Sequence, residues 1–171
     1  VSDLQIDLLA SSGHKGLLGP LGTGILYIRP GLEEHLVSQR QGGTGTQSDV
    51  DRQPGSLPGK FEAGSLNVPG FHGLGAAGLY LRSRGVESVR NHSEQLTARL
   101  LAGLVGIRGV RIYGPSSESD RVGLVSISVE GYDPQEVAAT LDASYRIQVR
   151  PGFHCAPLMH ESLGTAGSGG T

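Results

Sequence analysis

The sequence predicts an α/β fold, and three stretches carry that reading. Short apolar runs near residues 6–10 and 25–28 flank a glycine-rich connection, two segments with helical spacing follow each other over 69–104, and residues 110–149 alternate strand-like runs with one well-signalled helix. A chain of 171 residues is long enough for a single domain with its own core, and short for a large two-domain enzyme. A net charge of −2 with no basic cluster argues against nucleic acid and anionic membrane surfaces as partners. No apolar run approaches the roughly 20 residues that a membrane span needs. The N-terminus shows no basic stretch followed by an apolar core, as a secretory leader would. With Cys155 as the one cysteine no internal disulfide is available, and a reducing, cytoplasmic setting is expected.

Taken in order, Ile6, Leu8 and Ala10 alternate with polar residues and predict a first strand, and Ile25 to Ile28, closed by Arg29-Pro30-Gly31, predicts a second. Between them Gly16, Gly19-Pro20, Gly22 and Gly24 forbid a helix and predict a succession of tight turns. Residues 32–40 suit a short helix. From 41 to 59 the sequence is Gly, Thr, Ser, Asp, Gln and Pro with almost no apolar side chains, which predicts a long loop that packs on a partner chain because it has no core of its own. Pro69 in a first turn and Gly85 as a stop bound a helix with Phe71, Leu74, Gly78 and Leu81 on one face. A second helix, from about Glu87 to Leu104, has Val86, Val89, Leu96, Leu100 and Leu104 at helical spacing, with Arg90, Glu94 and Arg99 on the polar side. Val110–Tyr113 and Val122–Val129 read as strands. Asp133-Pro134-Gln135-Glu136 opens a helix to about Ala143, with Asp133 as the cap and Glu136 placed to close a capping box. Ile147–Val149 reads as a third strand, giving a β-β-α-β order over this part of the chain.

One position stands out chemically. Of fourteen basic residues only Lys15 and Lys60 are lysines, and Lys15 lies in Ser11-Ser12-Gly13-His14-Lys15-Gly16, between Leu8-Leu9 and Leu17-Leu18. A lysine among apolar side chains at a strand end is a candidate for Schiff-base chemistry, which needs the free amine. A lysine that snorkels out of the strand end is the plainer alternative.

Four motifs in sequence then resemble one family. Ser12-Gly13-His14-Lys15 with Gly19-Pro20 and Gly22-Thr23-Gly24, then Phe61-Glu62-Ala63-Gly64-Ser65-Leu66-Asn67, then Arg150, and then His154-Cys155-Ala156-Pro157 are similar to the cysteine desulfurase and selenocysteine lyase branch of the class V aminotransferases. Family members are considerably longer, so the resemblance implies that this chain answers to their C-terminal half. It would carry the end of the large mixed-sheet domain over 1–84 and a truncated small α+β domain over 85–171.

The resemblance also implies roles. Lys15 would hold pyridoxal 5′-phosphate (PLP) and move the substrate's α-proton. Ser12 and His14 would contact the phosphate, and Ser65, standing where the family has threonine, would reach the phosphate bound by the other subunit of a homodimer. Cys155 would accept sulfur from L-cysteine, leaving L-alanine and an enzyme persulfide for a sulfur-acceptor protein. Arg150 and His154 would lie on the substrate side. Residues that complete the cofactor and substrate pockets would lie outside 1–171, so the isolated chain is expected to be inactive and to bind PLP weakly. Plainer readings stand beside these: Ser65 as a turn or cap serine, Arg150 as a surface arginine at a strand end, Cys155 as an inert structural cysteine. A metal site of His154, Cys155 and His160 lacks a fourth ligand. Another class V enzyme, or an inactive α/β interaction module, would share the lysine motif without needing the thiol.

Overall fold

A computed structural model describes residues 3–43, 47, 49–117 and 121–171. The chain divides into two compact units, 1–86 and 87–171.

In the first unit, strands β1 (Leu8–Ser12) and β2 (Gly24–Ile28) form an antiparallel hairpin in which Leu8 faces Ile28 and Ser12 faces Gly24. The first strand starts two residues later than the alternation suggests. Asp7 is engaged at the open end of the hairpin, where its carbonyl accepts from the Arg29 N–H at 2.8 Å and its carboxylate pairs with the guanidinium at 2.8 Å. Residues 32–40 form only a three-residue 3₁₀ turn, Glu33–His35. The Glu33 carboxylate bends back to accept from the Gly31 N–H, and the chain is already extended at Leu36. The described part of the polar segment 41–65 is tied within the chain. Gln53 accepts from the Gly42 N–H and donates to the Gly59 carbonyl, and the Gly64 N–H reaches the Gly43 carbonyl at 2.9 Å. Helix α1 (Val68–Arg84) is capped by Asn67, whose side chain accepts from the Gly70 N–H at 3.0 Å, and it ends at Gly85 with φ +80°.

In the second unit, α2 (Val86–Leu104) buries Thr97 and Leu101 rather than the stripe of Val86, Val89, Leu96 and Leu100, all of which are exposed. Gly123 lies so near the Ser93 hydroxyl that a Cβ there would overlap it, and a larger side chain at 93 would hold that backbone off. On the polar side Arg90 pairs with Glu94 at 2.7 Å, one helical turn on.

Strands β3 (Val110–Tyr113) and β4 (Ser126–Val129) pair antiparallel, and the Tyr113 hydroxyl meets that of Ser128 at 3.0 Å. The second of these begins later than expected, and before it Arg121 donates to the carbonyls of Tyr113, the last residue of β3, and of Pro115 just past it. Helix α3 (Pro134–Tyr145) carries the expected capping box. Asp133 accepts from the Gln135 N–H at 2.8 Å, and Glu136 accepts from the Asp133 N–H at 3.1 Å. Residues 147–149 form no strand. Ile147 and Val149 are exposed and pair with no sheet edge among the described residues, so the expected β-β-α-β order is a β-β-α order here. Helix α4 (Pro157–Leu163) and a 3₁₀ turn at Ala166–Ser168 follow.

A self-sufficient core is absent from the described residues. Ile28, Leu101 and Tyr113 are the buried apolar side chains, while leucine, isoleucine and valine are exposed along most elements. The sheet shows why: Leu8 and Leu9, neighbours on β1 that point to opposite faces, are 50% and 41% exposed. A sheet with apolar residues on both faces is the kind that is covered on both sides.

Candidate functional site

The residues expected to hold a cofactor lie on the loop that joins β1 to β2. Its neck is closed by Gly13 N–H to the Thr23 carbonyl at 2.8 Å and by Gly19 N–H to the Gly13 carbonyl at 2.7 Å, while Lys15 and Leu18 form a turn at its tip. Gly13 is buried against Thr23, and a Cβ there would collide with the Thr23 hydroxyl, which itself donates to the Pro20 carbonyl at 2.6 Å. Helix α1 supports the far side of the loop. A Cβ on Gly73 would stand 2.6 Å from Pro20 Cγ, and one on Gly19 would stand 2.6 Å from Leu74 Cδ1. The loop is thus a fixed scaffold, with Ser12 half-buried at its root and His14 and Lys15 exposed on it.

Lys15 does not lie in the apolar setting that its leucine neighbours suggest, because Leu8, Leu9 and Leu18 are themselves exposed. No side-chain hydrogen bond or ion pair engages Lys15 or His14 among the described residues. Ser65 is exposed two residues before the Asn67 cap. Asn67 in turn lies at the same loop, its amide nitrogen 3.8 Å from where a Cβ of Gly22 would stand. An open groove of about 630 Å³ adjoins Ser12 and is lined further by Leu26, Leu57, Phe61 and Phe71, but by neither His14 nor Lys15. Its apolar lining marks it as an uncovered sheet face rather than the place where the chemistry would occur.

The residues expected on the sulfur and substrate side lie on a tight turn of the second unit. His154 and Cys155 both have left-handed backbones, with φ +53° and +62°, and neither is glycine. Two successive residues in that region cost about 1–2 kcal/mol each and persist only where their surroundings impose them, as at functional turns. The turn exposes the Cys155 thiol. Arg150 Nη2 donates to its sulfur at 3.1 Å. The His154 ring is engaged by Thr171, with Nε2 2.9 Å from the Thr171 carbonyl. Below the turn lies a pair that inspection of the sequence had not singled out for this purpose: His160, 3% exposed, with Nδ1 2.8 Å from the hydroxyl of Thr165, also 3% exposed. The one signal available was a histidine three residues after the Pro157 that opens a helix just past the cysteine.

Comparison with known proteins follows from these features. The sequence matches the Aminotransferase class-V family over residues 1–168. It is 39% identical to a probable cysteine desulfurase of Methanothermobacter thermautotrophicus over 174 residues, which is 100% of this chain and 43% of the relative. The fold superposes on the apo structure of a cysteine desulfurase from Thermococcus onnurineus NA1 with a TM-score of 0.82 and 36% identity, covering 96% of this chain and 41% of that one. A mutant of C-DES with glycine covalently linked to its PLP cofactor gives a TM-score of 0.67 at 26% identity, covering 87% and 39%. The chain thus spans about two fifths of the length of the proteins it matches.

Proposed function

The chain belongs to the class V aminotransferase family, and on that premise we propose that it works within a longer polypeptide as part of a PLP-dependent cysteine desulfurase. The enzyme takes sulfur from L-cysteine and leaves L-alanine and a persulfide on Cys155. The observation that carries this reading is the Cys155 thiol itself, exposed on a strained turn with a guanidinium on its sulfur. Transfer of sulfur needs a nucleophile held out to meet the substrate, which transamination does not. The names of the relatives at 35–39% identity support the same choice.

The first unit fits the cofactor by the chemistry of its donors. Lys15 offers an unengaged primary amine for an aldehyde, and Ser12 and His14 offer a hydroxyl and an imidazole to a phosphate on a loop whose shape is set by close glycine contacts. Bound PLP supplies an electron sink for the carbon framework of the substrate. Lys15 Nζ takes up the proton of the substrate α-carbon. The Cys155 sulfur attacks the substrate sulfur; as the S–S bond forms the substrate C–S bond breaks, its electron pair stays with carbon, and that carbon takes a proton on the way to alanine. Arg150 orients the sulfur and holds positive charge beside it.

Residues 1–84 then serve as the end of the cofactor-binding domain and 85–171 as part of a smaller one. A homodimer is the working unit, with segment 41–65 at its interface and Ser65 directed to the phosphate of the partner subunit. The persulfide passes to an acceptor protein, and the setting is the cytoplasm, where a lone thiol stays reduced. No helix among the described residues is long and apolar enough to cross a membrane. Lys15→Ala in the longer polypeptide tests the cofactor assignment: its visible PLP absorbance is expected to vanish, and an unchanged band would refute it.

A further inference from the structure

We propose that His160 is a positioning residue for Cys155, acting with Thr165 to impose the left-handed turn that aims the thiol at Arg150. The consequence for turnover rests on the desulfurase reading; the positioning itself does not.

Helix α4 starts one residue after the turn, with Ala156 as its N-cap and no side chain to complete the cap. What holds the turn to the helix is therefore its own backbone and the rings packed against it. Ala156 N–H reaches the Phe153 carbonyl at 2.8 Å, and the His160 N–H reaches the Ala156 carbonyl at 3.3 Å. From this first helical turn the His160 ring packs edge-on to Phe153 at 5.4 Å between centroids, and against His154 at 5.7 Å. It thus touches the two residues that precede Cys155. Its rotation about the ring axis is fixed from the other end of the helix. Thr165, just past the Gly164 stop, lies 2.8 Å from Nδ1, and the Thr165 N–H donates to the His160 carbonyl at 2.9 Å.

A buried ring with one nitrogen anchored has a single resting orientation, and Phe153 and His154 are packed on it. Without the anchor the ring turns, and the two non-glycine residues in the left-handed region keep only the Ala156 N–H bond to the Phe153 carbonyl and the contact of His154 with Thr171 to hold them there. The thiol then leaves the Arg150 guanidinium.

The test reads the contact between Cys155 and Arg150 without substrate or cofactor. In the longer polypeptide, alkylation of Cys155 is followed by peptide mass spectrometry with two reagents, anionic iodoacetate and neutral iodoacetamide. Their rate ratio cancels the reactivity of the thiol and reports the positive charge beside it. Arg150→Gln sets the floor, expected about fivefold below wild type for one charge at contact distance in water. Thr165→Val and His160→Phe, which keep the bulk and remove the anchor, are expected to fall most of the way to that floor. Thr165→Ser, which keeps the hydroxyl, is expected to stay near wild type. A role in stability alone would lower the melting temperature and leave the ratio unmoved. Wild-type ratios in both Thr165→Val and His160→Phe, or a loss in Thr165→Ser equal to that in Thr165→Val, would overturn the proposal. Separately, alanine release from L-cysteine is expected to lose about tenfold or more in kcat with little change in KM in the first two variants. If wild type releases no alanine while the alkylation ratios follow the expected order, the positioning role stands and the desulfurase reading falls.

Discussion

Arg150 and Cys155 face each other across the turn that begins at Pro151, with the guanidinium Nη2 3.1 Å from the sulfur. Both residues are exposed, so the contact is weak in energy and its worth lies in direction. Arg150→Lys keeps the charge and loses the planar fork, whereas Arg150→Gln loses the charge. Single-turnover formation of the Cys155 persulfide is expected to fall in the order wild type, Lys, Gln, by roughly fivefold for Gln, as measured by rapid quench. Equal rates in all three would show that the guanidinium does not serve the thiol.

The loop carrying Lys15 depends on Gly13 for its closure. A Cβ there would overlap the Thr23 hydroxyl and lie 3.0 Å from the Thr23 carbonyl carbon, and backbone yields poorly. Gly13→Ala is expected to cost about 1–3 kcal/mol in urea unfolding and to weaken PLP binding, as read by equilibrium dialysis. Gly16→Ala, where a Cβ would meet nothing within 4 Å, is the control and should bind PLP as wild type does.

The capping box of α3 is a purely structural counterpart. Asp133→Ala removes the acceptor of the Gln135 N–H and is expected to cost about 1 kcal/mol in urea unfolding. PLP absorbance should be untouched, since the helix holds none of the residues assigned to the cofactor.

These cases also show what could be read from the sequence. The capping box was legible because it is local: Asp133, Pro134 and Glu136 need only one another. So was the hairpin loop, whose glycines admit few backbones. The third strand at Ile147–Val149 was not legible, because β-branched residues show that a segment suits a sheet edge and not that an edge is there to receive it. The buried face of α2 was missed for a related reason. Its apolar stripe is real, but Thr97 and Leu101 are the residues buried and Gly123 approaches at Ser93, and both are tertiary facts. At the candidate site the motifs pointed to Lys15, Ser12, His14 and Cys155, while the orientation of His154 toward Thr171, and of Arg150 toward the sulfur, depends on a turn that no residue type announces.

Ser65 is expected to act across a dimer, and mixed subunits test this. Lys15→Ala and Ser65→Ala variants, unfolded together and reassembled, should give hybrid dimers with one intact site. The PLP affinity of that site is expected to equal the wild-type value. If Ser65 serves its own subunit's Lys15, every site in the hybrid is defective and no wild-type affinity appears.

Sulfur capture by Cys155 is the central claim, and alanine release tests it most directly. A hydroxyl is a far poorer nucleophile toward sulfur than a thiolate. The longer polypeptide bearing Cys155→Ser is compared with wild type for alanine formed from L-cysteine, with PLP absorbance recorded in the same samples. Retained absorbance with alanine release lower by orders of magnitude is the predicted result; alanine release at the wild-type rate from the serine variant would contradict it and leave Cys155 a structural residue.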